Sequence, residues 1–153
     1  TVLFQFPYSF VPNQENIEYL RIVQGAFEEY GSVVEFRNVQ WSHERHLDVL
    51  KHVGLGYCVV DEPKLKGLLP FLPHLTSDTG YFRFHGRNTC WFNAPTEVRY
   101  NYLYSAEELK QFVQPIKKVA EKAKATYVFF NNCHNGQAAK NALMMIEIMK
   151  GSE

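Results

Sequence analysis

The sequence lacks the features that mark membrane proteins and proteins that bind long anionic polymers. No apolar run approaches the roughly 20 residues that a membrane-spanning helix needs, which argues against a membrane protein. Lys plus Arg and Asp plus Glu each total 16, so the formal net charge is zero. Without a net positive charge there is no global field to attract nucleic acid, and a nucleic-acid partner is unsupported by the charge. A local basic cluster stays compatible with these numbers.

Cysteine is scarce and irregularly spaced. Cys58, Cys90 and Cys133 are the three cysteines, and no two of them form a CxxC pair. An odd number of widely spaced cysteines favours a reduced, cytoplasmic setting over a disulfide framework. We also expect no signal peptide. The chain opens at Thr1 directly on an apolar run, without an initiator Met, so we expect the sequence to begin inside a longer protein.

Glycine-rich nucleotide motifs are absent too. No GxGxxG and no GxxxxGK[ST] follows any apolar run, so dinucleotide and P-loop nucleotide sites are unsupported. What the chain does contain is an alternation of apolar runs and helical patterns. Strands are predicted at residues 2–6, 33–36, 55–60, 81–85 and 126–130. Helices are predicted from Asn13 to about Tyr30, after Ser42, after the Ser105 and Glu108 capping box, and from Gln137 to Lys150.

The predicted strands are continuous apolar runs rather than alternating ones. This pattern is typical of a parallel sheet covered by helices. A doubly wound sheet and a (β/α)₈ barrel both fit the order of elements. In both architectures ligands bind at the carboxyl ends of the strands, so the residues at those ends are the candidates for a site.

Charged and polar side chains cluster at these strand ends. Glu35 and Arg37 share one face of their strand, as do Arg83 and His85 of another, because side chains alternate along a strand. Buried charges need partners or a ligand. Further candidates at or near strand ends are Trp41, Asp61, Arg87, Asn131 and Asn132. We expect Glu35, Arg37, Asp61, Arg83, His85 and Asn131 to lie in a single cleft.

Several roles are open for this cluster. His85 has an imidazole that titrates near neutrality, so it is the candidate acid or base, with Glu35 or Asp61 as its partner. The same residues also fit an internal ion-pair network with no ligand, and His85 also fits a purely structural role. Glu35, Asp61 and His85 would suit a metal ion, although no spacing demands one.

A long segment between the fourth strand and the next helix is rich in aromatic residues. Residues 86–104 include Trp91, Phe92, Tyr100, Tyr102 and Tyr104 beside Arg87 and Arg99. We predict a long loop here. Packing onto the domain, a lid over the strand ends and base stacking in a nucleic-acid groove are three interpretations of its aromatic residues.

Short motifs in a fixed order resemble the domain-of-unknown-function 72 family, also called YecE-like. They are LFQFP at 3–7, VEFR at 34–37 with Trp41, DEP at 61–63, RFHGRN at 83–88, YLYS at 102–105, FNN at 130–132 and GQAAKNA at 136–142. The resemblance implies a TIM-type (β/α)₈ barrel of which this chain carries roughly the last five β/α units. The first three units of that single domain would then be absent. The resemblance implies no reaction.

We therefore expect a site that binds or processes a small anionic or phosphorylated ligand. Arg37, Arg83 and Arg87 would hold the anion. Asn131, Asn132 and Trp41 would complete the binding surface, with His85, Glu35 and Asp61 as the catalytic candidates. The alternatives are a non-catalytic binding protein, including one for single-stranded nucleic acid, and a metal-dependent, nuclease-like hydrolase. The cofactor is unknown, and a truncated barrel would favour an oligomer.

Overall fold

A computed structural model describes residues 1–92 and 94–151 as an α/β fold. Strands and helices alternate along the chain. They are β1 (Val2–Gln5), α1 (Gln14–Ala26), β2 (Ser32–Glu35), α2 (Glu44–Val53), β3 (Gly56–Asp61), β4 (Thr79–Phe84), α3 (Thr96–Arg99), α4 (Ala106–Ala120), β5 (Ala125–Phe130) and α5 (Gln137–Lys150). Short 3-10 helices occupy Val39–Ser42 and His134–Gly136.

The five strands form one parallel sheet in the order β1-β2-β3-β4-β5. Each strand pairs with the next along the chain, so every connection is a β–α–β or loop crossover between neighbours. In the described residues β1 and β5 lie at opposite edges and are not paired. The sheet is an open half-barrel.

The expected TIM-type (β/α)₈ barrel is therefore wrong for this structure. A closed barrel requires its first and last strands to pair, and it has no edges. Here the described residues provide pairing only between successive strands, and both edges are open. The parallel sheet and its helical cover follow the sequence pattern, and the five strands form a half-barrel in place of the expected part of an eight-stranded barrel.

Local signals in the sequence account for the ends of the helices. The Asn13 side chain accepts a hydrogen bond from Asn16 N at 2.8 Å at the start of α1. Ser105 and Glu108 form the expected capping box at the start of α4. Gly54 ends α2 in the left-handed region at φ 86°, where a glycine carries no steric penalty.

Besides shifts of one or two residues at the strand ends, the helices and one loop differ from the sequence prediction. Helix α1 ends at Ala26 rather than near Tyr30. The N-cap of α2 is His43, because Ser42 is taken up as the last residue of a preceding 3-10 helix. Residues 86–104, predicted as loop, contain the short helix α3. No helix in the described ranges is both long and apolar enough to cross a membrane.

The two faces of the sheet have different surroundings. The outer face packs on the helices, and its core includes Phe36, Phe82 and Phe84 of the sheet region with Leu20 of α1 and Phe112 of α4. The inner face is the opposite one, and at its edge on β5 it leaves aromatic side chains 40% and 43% exposed. Parallel register aligns Gln5 with Glu35 across β1 and β2, and Val60 with Arg83 across β3 and β4. These alignments place the polar strand ends next to one another.

Candidate functional site

Glu35 is the centre of a cluster of charged side chains at the carboxyl ends of the strands on the inner face. Its side chain is fully buried. Arg37 Nη2 lies 2.5 Å from Glu35 Oε1, and Arg83 Nη1 donates to Glu35 Oε2. Arg83 Nη1 also donates to Gln5 Oε1 on the edge strand β1. One carboxylate thus holds two guanidinium groups that arrive from different strands.

The ionisation of Glu35 follows from these neighbours. Burial by itself would raise the pKa of Glu35, because it penalises the charged form. The His85 contact and the charges of Arg37 and Arg83 outweigh that penalty and lower the pKa to about 2. Glu35 is therefore a carboxylate at neutral pH, and it holds its two cationic partners in place.

His85 completes the cluster from the residue that follows β4. Its Nε2 lies 3.1 Å from Glu35 Oε1, and the side chain is fully buried. Burial lowers the pKa of His85, and the neighbouring Glu35 carboxylate only partly opposes this, so the imidazole is neutral at pH 7. Within the described residues neither ring nitrogen has a partner in hydrogen-bond geometry, so Nε2 and Glu35 Oε1 meet as a close polar contact. The ring packs against Trp91 and Tyr100 at centroid distances of 6.4 and 6.2 Å, so residues of the 86–104 segment cover it.

Glu62 is a second carboxylate of this cluster, and the sequence analysis did not select it. Its Oε2 lies 3.3 Å from Arg37 Nη1, and its Oε1 accepts a hydrogen bond from Leu69 N at 3.0 Å. Burial raises the pKa of Glu62 to about 7 despite the opposing charge of Arg37. Strand alternation could have identified it, because Glu62 follows Cys58 and Val60 at a period of two on the inner face.

Asp61 lies on the outer face, away from this cluster. Arg87 binds it in a bidentate arrangement, with Nε and Nη2 each 2.8 Å from a carboxylate oxygen. Tyr104 Oη donates to Asp61 Oδ2 at 2.7 Å, and the Arg87 guanidinium sits 5.1 Å from the Phe112 ring centroid on α4. Asp61 and Arg87 therefore do not join the inner cluster. The physical reason is alternation, because Asp61 is an odd number of residues from Val60 and Cys58.

This second set of residues, the outer network, has the contacts of a structural ion pair. Glu108 accepts from Tyr102 Oη at 2.5 Å and lies 3.4 Å from Arg87 Nη1. The side-chain hydrogen bond to Asp61 is the main cause that raises the pKa of Arg87. Burial beside Asp61 raises the pKa of Tyr104 as well, so its hydroxyl stays protonated and donates. The network ties β3 to the start of α4.

Trp41 and Asn132 are also placed outside the cleft. Trp41 is fully buried and stacks on Phe36 at 4.0 Å, while its Nε1 donates to Phe10 O at 2.7 Å. Asn132 is buried and its amide donates to Tyr102 O and to Asn141 Oδ1, each at 2.7 Å. Asn131 is half-buried and continues the inner-face alternation of β5.

A cleft of about 470 Å³ opens above the inner cluster. Its lining combines cationic, amide and aromatic side chains. The lining residues are Gln5, Phe6, Pro7, Tyr8, Arg37, Leu68, Trp91, Phe92, Arg99 and Tyr100. Of the six residues expected in a single cleft, Arg37 is the one that lines this cleft in the described residues, and it is 18% exposed. Arg83, which shares the Glu35 carboxylate with it, is 12% exposed and is not a lining residue. Arg99 was not among the sequence candidates, and its guanidinium lies 5.7 Å from the Trp91 ring centroid.

Metal-binding residues do not converge in the part of the chain that the structure describes. Among residues 1–92 and 94–151 there is no group of three or more His, Cys, Asp and Glu side chains arranged to hold an ion. The expected triad of Glu35, Asp61 and His85 is divided because Asp61 turns to the outer face. The arrangement at the strand ends is one of cations around a carboxylate.

Comparisons with known proteins agree on one family. The family model described as "Protein of unknown function DUF72" matches residues 1–153. The chain is 34% identical over 160 residues to the UPF0759 protein YunF of Bacillus subtilis, covering 97% of this chain and 57% of that protein. It therefore spans less than two thirds of the length of this curated relative.

Solved structures give the same result. A DUF72 family protein from Thermotoga maritima shares 47% identity with a TM-score of 0.93, over 97% of this chain and 56% of that one. A DUF72 family protein from Enterococcus faecalis shares 32% identity with a TM-score of 0.86, over 97% of this chain and 60% of that one.

Proposed function

This chain belongs to the DUF72 family of proteins of unknown function, and from that premise we propose that its inner-face cleft binds a small anionic or phosphorylated ligand. The observation that carries the proposal is the pair of guanidinium groups, Arg37 and Arg83, which share the single carboxylate of Glu35. Guanidinium groups bind carboxylate and phosphate oxygens in a fixed, often bidentate geometry.

The local charge supports an anion rather than a cation. Arg37 and Arg83 bring two positive charges, Glu35 brings one negative charge, and His85 is neutral at pH 7. Glu62, with a pKa of about 7, is only partly ionised at that pH. Arg99 adds a third guanidinium at the wall of the cleft. The cluster thus keeps a positive surplus although the whole chain has no net charge.

The cleft also has a size that suits a small molecule. Ligand pockets in proteins generally measure about 300–1,000 Å³, and the volume here is about 470 Å³. The zero net charge and the small cleft both disfavour a long nucleic acid, whose binding depends on many phosphate contacts. The described residues contain no group of side chains that could hold the metal ion of a metal-dependent hydrolase.

If the ligand is also processed, the groups for proton transfer are His85 and Glu62. We propose His85 as the acid or base and Glu35 as the residue that orients its ring, since the two lie 3.1 Å apart. The setting that we propose is the reducing cytoplasm, since Cys58, Cys90 and Cys133 are all free thiols. The match covers 57% of YunF. Our proposal for the cleft therefore concerns this part of the family's fold.

Calorimetric titration of the 153-residue chain with inorganic phosphate tests the proposal. We expect saturable binding that weakens as the salt concentration rises. Arg37→Gln should weaken binding at least about tenfold, the equivalent of one lost charge-assisted contact of about 1.4 kcal/mol. Arg21→Gln is the matched control, because Arg21 is exposed on α1 and pairs only with Glu18 among the described residues. Absence of phosphate binding, or equal loss in both variants, would contradict the proposal.

A further inference from the structure

The anion site has an aromatic rim whose position the fold fixes. Tyr8, in the loop after β1, makes an edge-to-face contact with Phe92 of the 86–104 segment, with ring centroids 6.0 Å apart. Both residues line the same cleft as Arg37. Strands β1 and β4 are separated by β2 and β3 in the sheet, so the pair bridges the mouth of the cleft.

These two rings stay accessible to a ligand. Tyr8 is 44% exposed and Phe92 is 53% exposed. In an edge-to-face pair one ring presents its edge to one face of the other, so three of the four ring faces are not covered by the partner ring. Large apolar side chains that remain exposed beside a binding cleft are typical of contact surfaces.

Specific contacts with neighbouring residues fix the position of Tyr8. Asn38, next to Arg37, donates from its side chain to Tyr8 O at 3.1 Å. The Tyr8 ring lies over Gly67, where an added Cβ would come within 2.2 Å of the Tyr8 hydroxyl. Gly67 adopts φ +92°, which favours glycine. The segment that carries Arg37 therefore also holds the backbone of Tyr8, and Gly67 leaves room for the ring.

We propose that the cleft selects an anion attached to a planar ring, such as an aryl phosphate or aromatic carboxylate. The anionic group contacts Arg37, the cation of the inner cluster that lines the cleft, and the ring packs against Tyr8 and Phe92. This inference rests on the proposed function, because it names the class of ligand for the same cleft. Aromatic stacking supplies the added affinity, since a flat ring buries apolar area on a ring face at little entropic cost.

Two phosphate esters of equal charge separate the two proposals. Methyl phosphate and phenyl phosphate present the same anion, and only phenyl phosphate carries a ring. We expect calorimetric titration of the 153-residue chain to show phenyl phosphate binding at least about fivefold tighter than methyl phosphate. Tyr8→Leu and Phe92→Leu should each reduce this ratio towards one, whereas Tyr8→Phe, which keeps the ring, should preserve it.

Each outcome has a defined meaning. Equal binding of the two esters would overturn the ring inference and leave the anion site intact. A phenyl preference that persists in both leucine variants would overturn the assignment of the ring to Tyr8 and Phe92. Binding of neither ester would overturn both the inference and the proposed function. Thermal unfolding of every variant checks that a lost preference does not come from a lost fold.

Discussion

His85 Nε2 lies 3.1 Å from Glu35 Oε1, and both side chains have no exposed surface. An imidazole and a carboxylate thus meet inside the protein although they come from strand ends that are not adjacent, since β3 lies between β2 and β4. This buried contact is tolerated because the negative charge of Glu35 is balanced by its ion pairs with Arg37 and Arg83. The cluster is therefore an interdependent set, and removal of one cation should affect every other member.

Loss of Arg83 should destabilise the protein. Arg83→Ala removes one of the two cations on buried Glu35 and the donor to Gln5. Breaking a buried pair leaves an uncompensated charge, and we expect a loss of about 3 kcal/mol in the free energy of unfolding, measured by urea denaturation. Arg21→Ala, which breaks an exposed pair on α1, is the control and should change stability by less than about 0.5 kcal/mol. Equal stability of the parent and Arg83→Ala would show that the pair is not buried in solution.

Glu62 should give the stability a specific pH dependence. Its pKa is about 7 in the folded chain and near 4.5 when unfolded, so the unfolded state releases its proton first as the pH rises. The contribution of Glu62 to stability is thus fully present below pH 4.5 and is lost as the pH rises through 7. The pKa of His85 is lowered in the folded chain, so its effect on stability has the opposite sign. The contribution of His85 to stability is fully present above pH 6.5, the pKa of the unfolded state, and is lost as the pH falls.

The difference between the parent and Glu62→Gln isolates this effect from that of His85. Gln keeps an acceptor for Leu69 N but does not titrate. We expect the parent to lose stability relative to Glu62→Gln as the pH rises from 4.5 to 7, followed by urea denaturation across that range. Parallel pH profiles for the two proteins would show that Glu62 titrates normally.

The outer network should matter for stability and not for the ligand. Arg87→Lys keeps the charge but cannot reproduce the two parallel hydrogen bonds to Asp61. We expect a loss of about 2 kcal/mol in the free energy of unfolding with unchanged phosphate affinity. Arg37→Lys, at the inner cluster, is the counterpart and should weaken phosphate binding. A fall in phosphate affinity in Arg87→Lys would mean that the two networks are coupled.

The sequence predicts the positions of all five strands to within two residues, because each is a mainly apolar run, although only β2 and β3 are buried along their whole length. It also groups Glu35, Arg37, Arg83 and His85, whose spacing of two residues within each strand sets a common face. It misplaces Asp61, because strand alternation puts Glu62, and not Asp61, on the face of Cys58 and Val60. Asp61 pairs in register with Phe84, a core residue.

Other features depend on contacts that are distant in the sequence. Nothing near Trp41 in the chain indicates that Phe10, more than 30 residues earlier, accepts its indole hydrogen bond. The number of strands in the sheet likewise depends on long-range pairing, and no local pattern encodes it. The family resemblance is confirmed, whereas the part of an eight-stranded barrel that was inferred from it is wrong, because the five strands form a half-barrel.

The open edge at β5 should make the 153-residue chain self-associate. Tyr127 and Phe129 on the inner face of β5 are 40% and 43% exposed, and their rings stack at 6.2 Å. Phe129 also contacts Tyr81 of β4 at 5.2 Å, so the apolar surface continues into the sheet. An unpaired strand beside exposed apolar side chains is a template for pairing with another chain.

Replacing Phe129 with lysine should shift this equilibrium towards the monomer. A charge at the inner-face edge opposes burial of that edge against a second copy. Light scattering over a range of protein concentrations measures the mean mass of the parent and of Phe129→Lys. Leu143→Lys, at a 66% exposed position on α5, is the control for added charge and should leave the mass of the parent unchanged. A parent that stays monomeric at every concentration would show that the edge does not pair with a second copy.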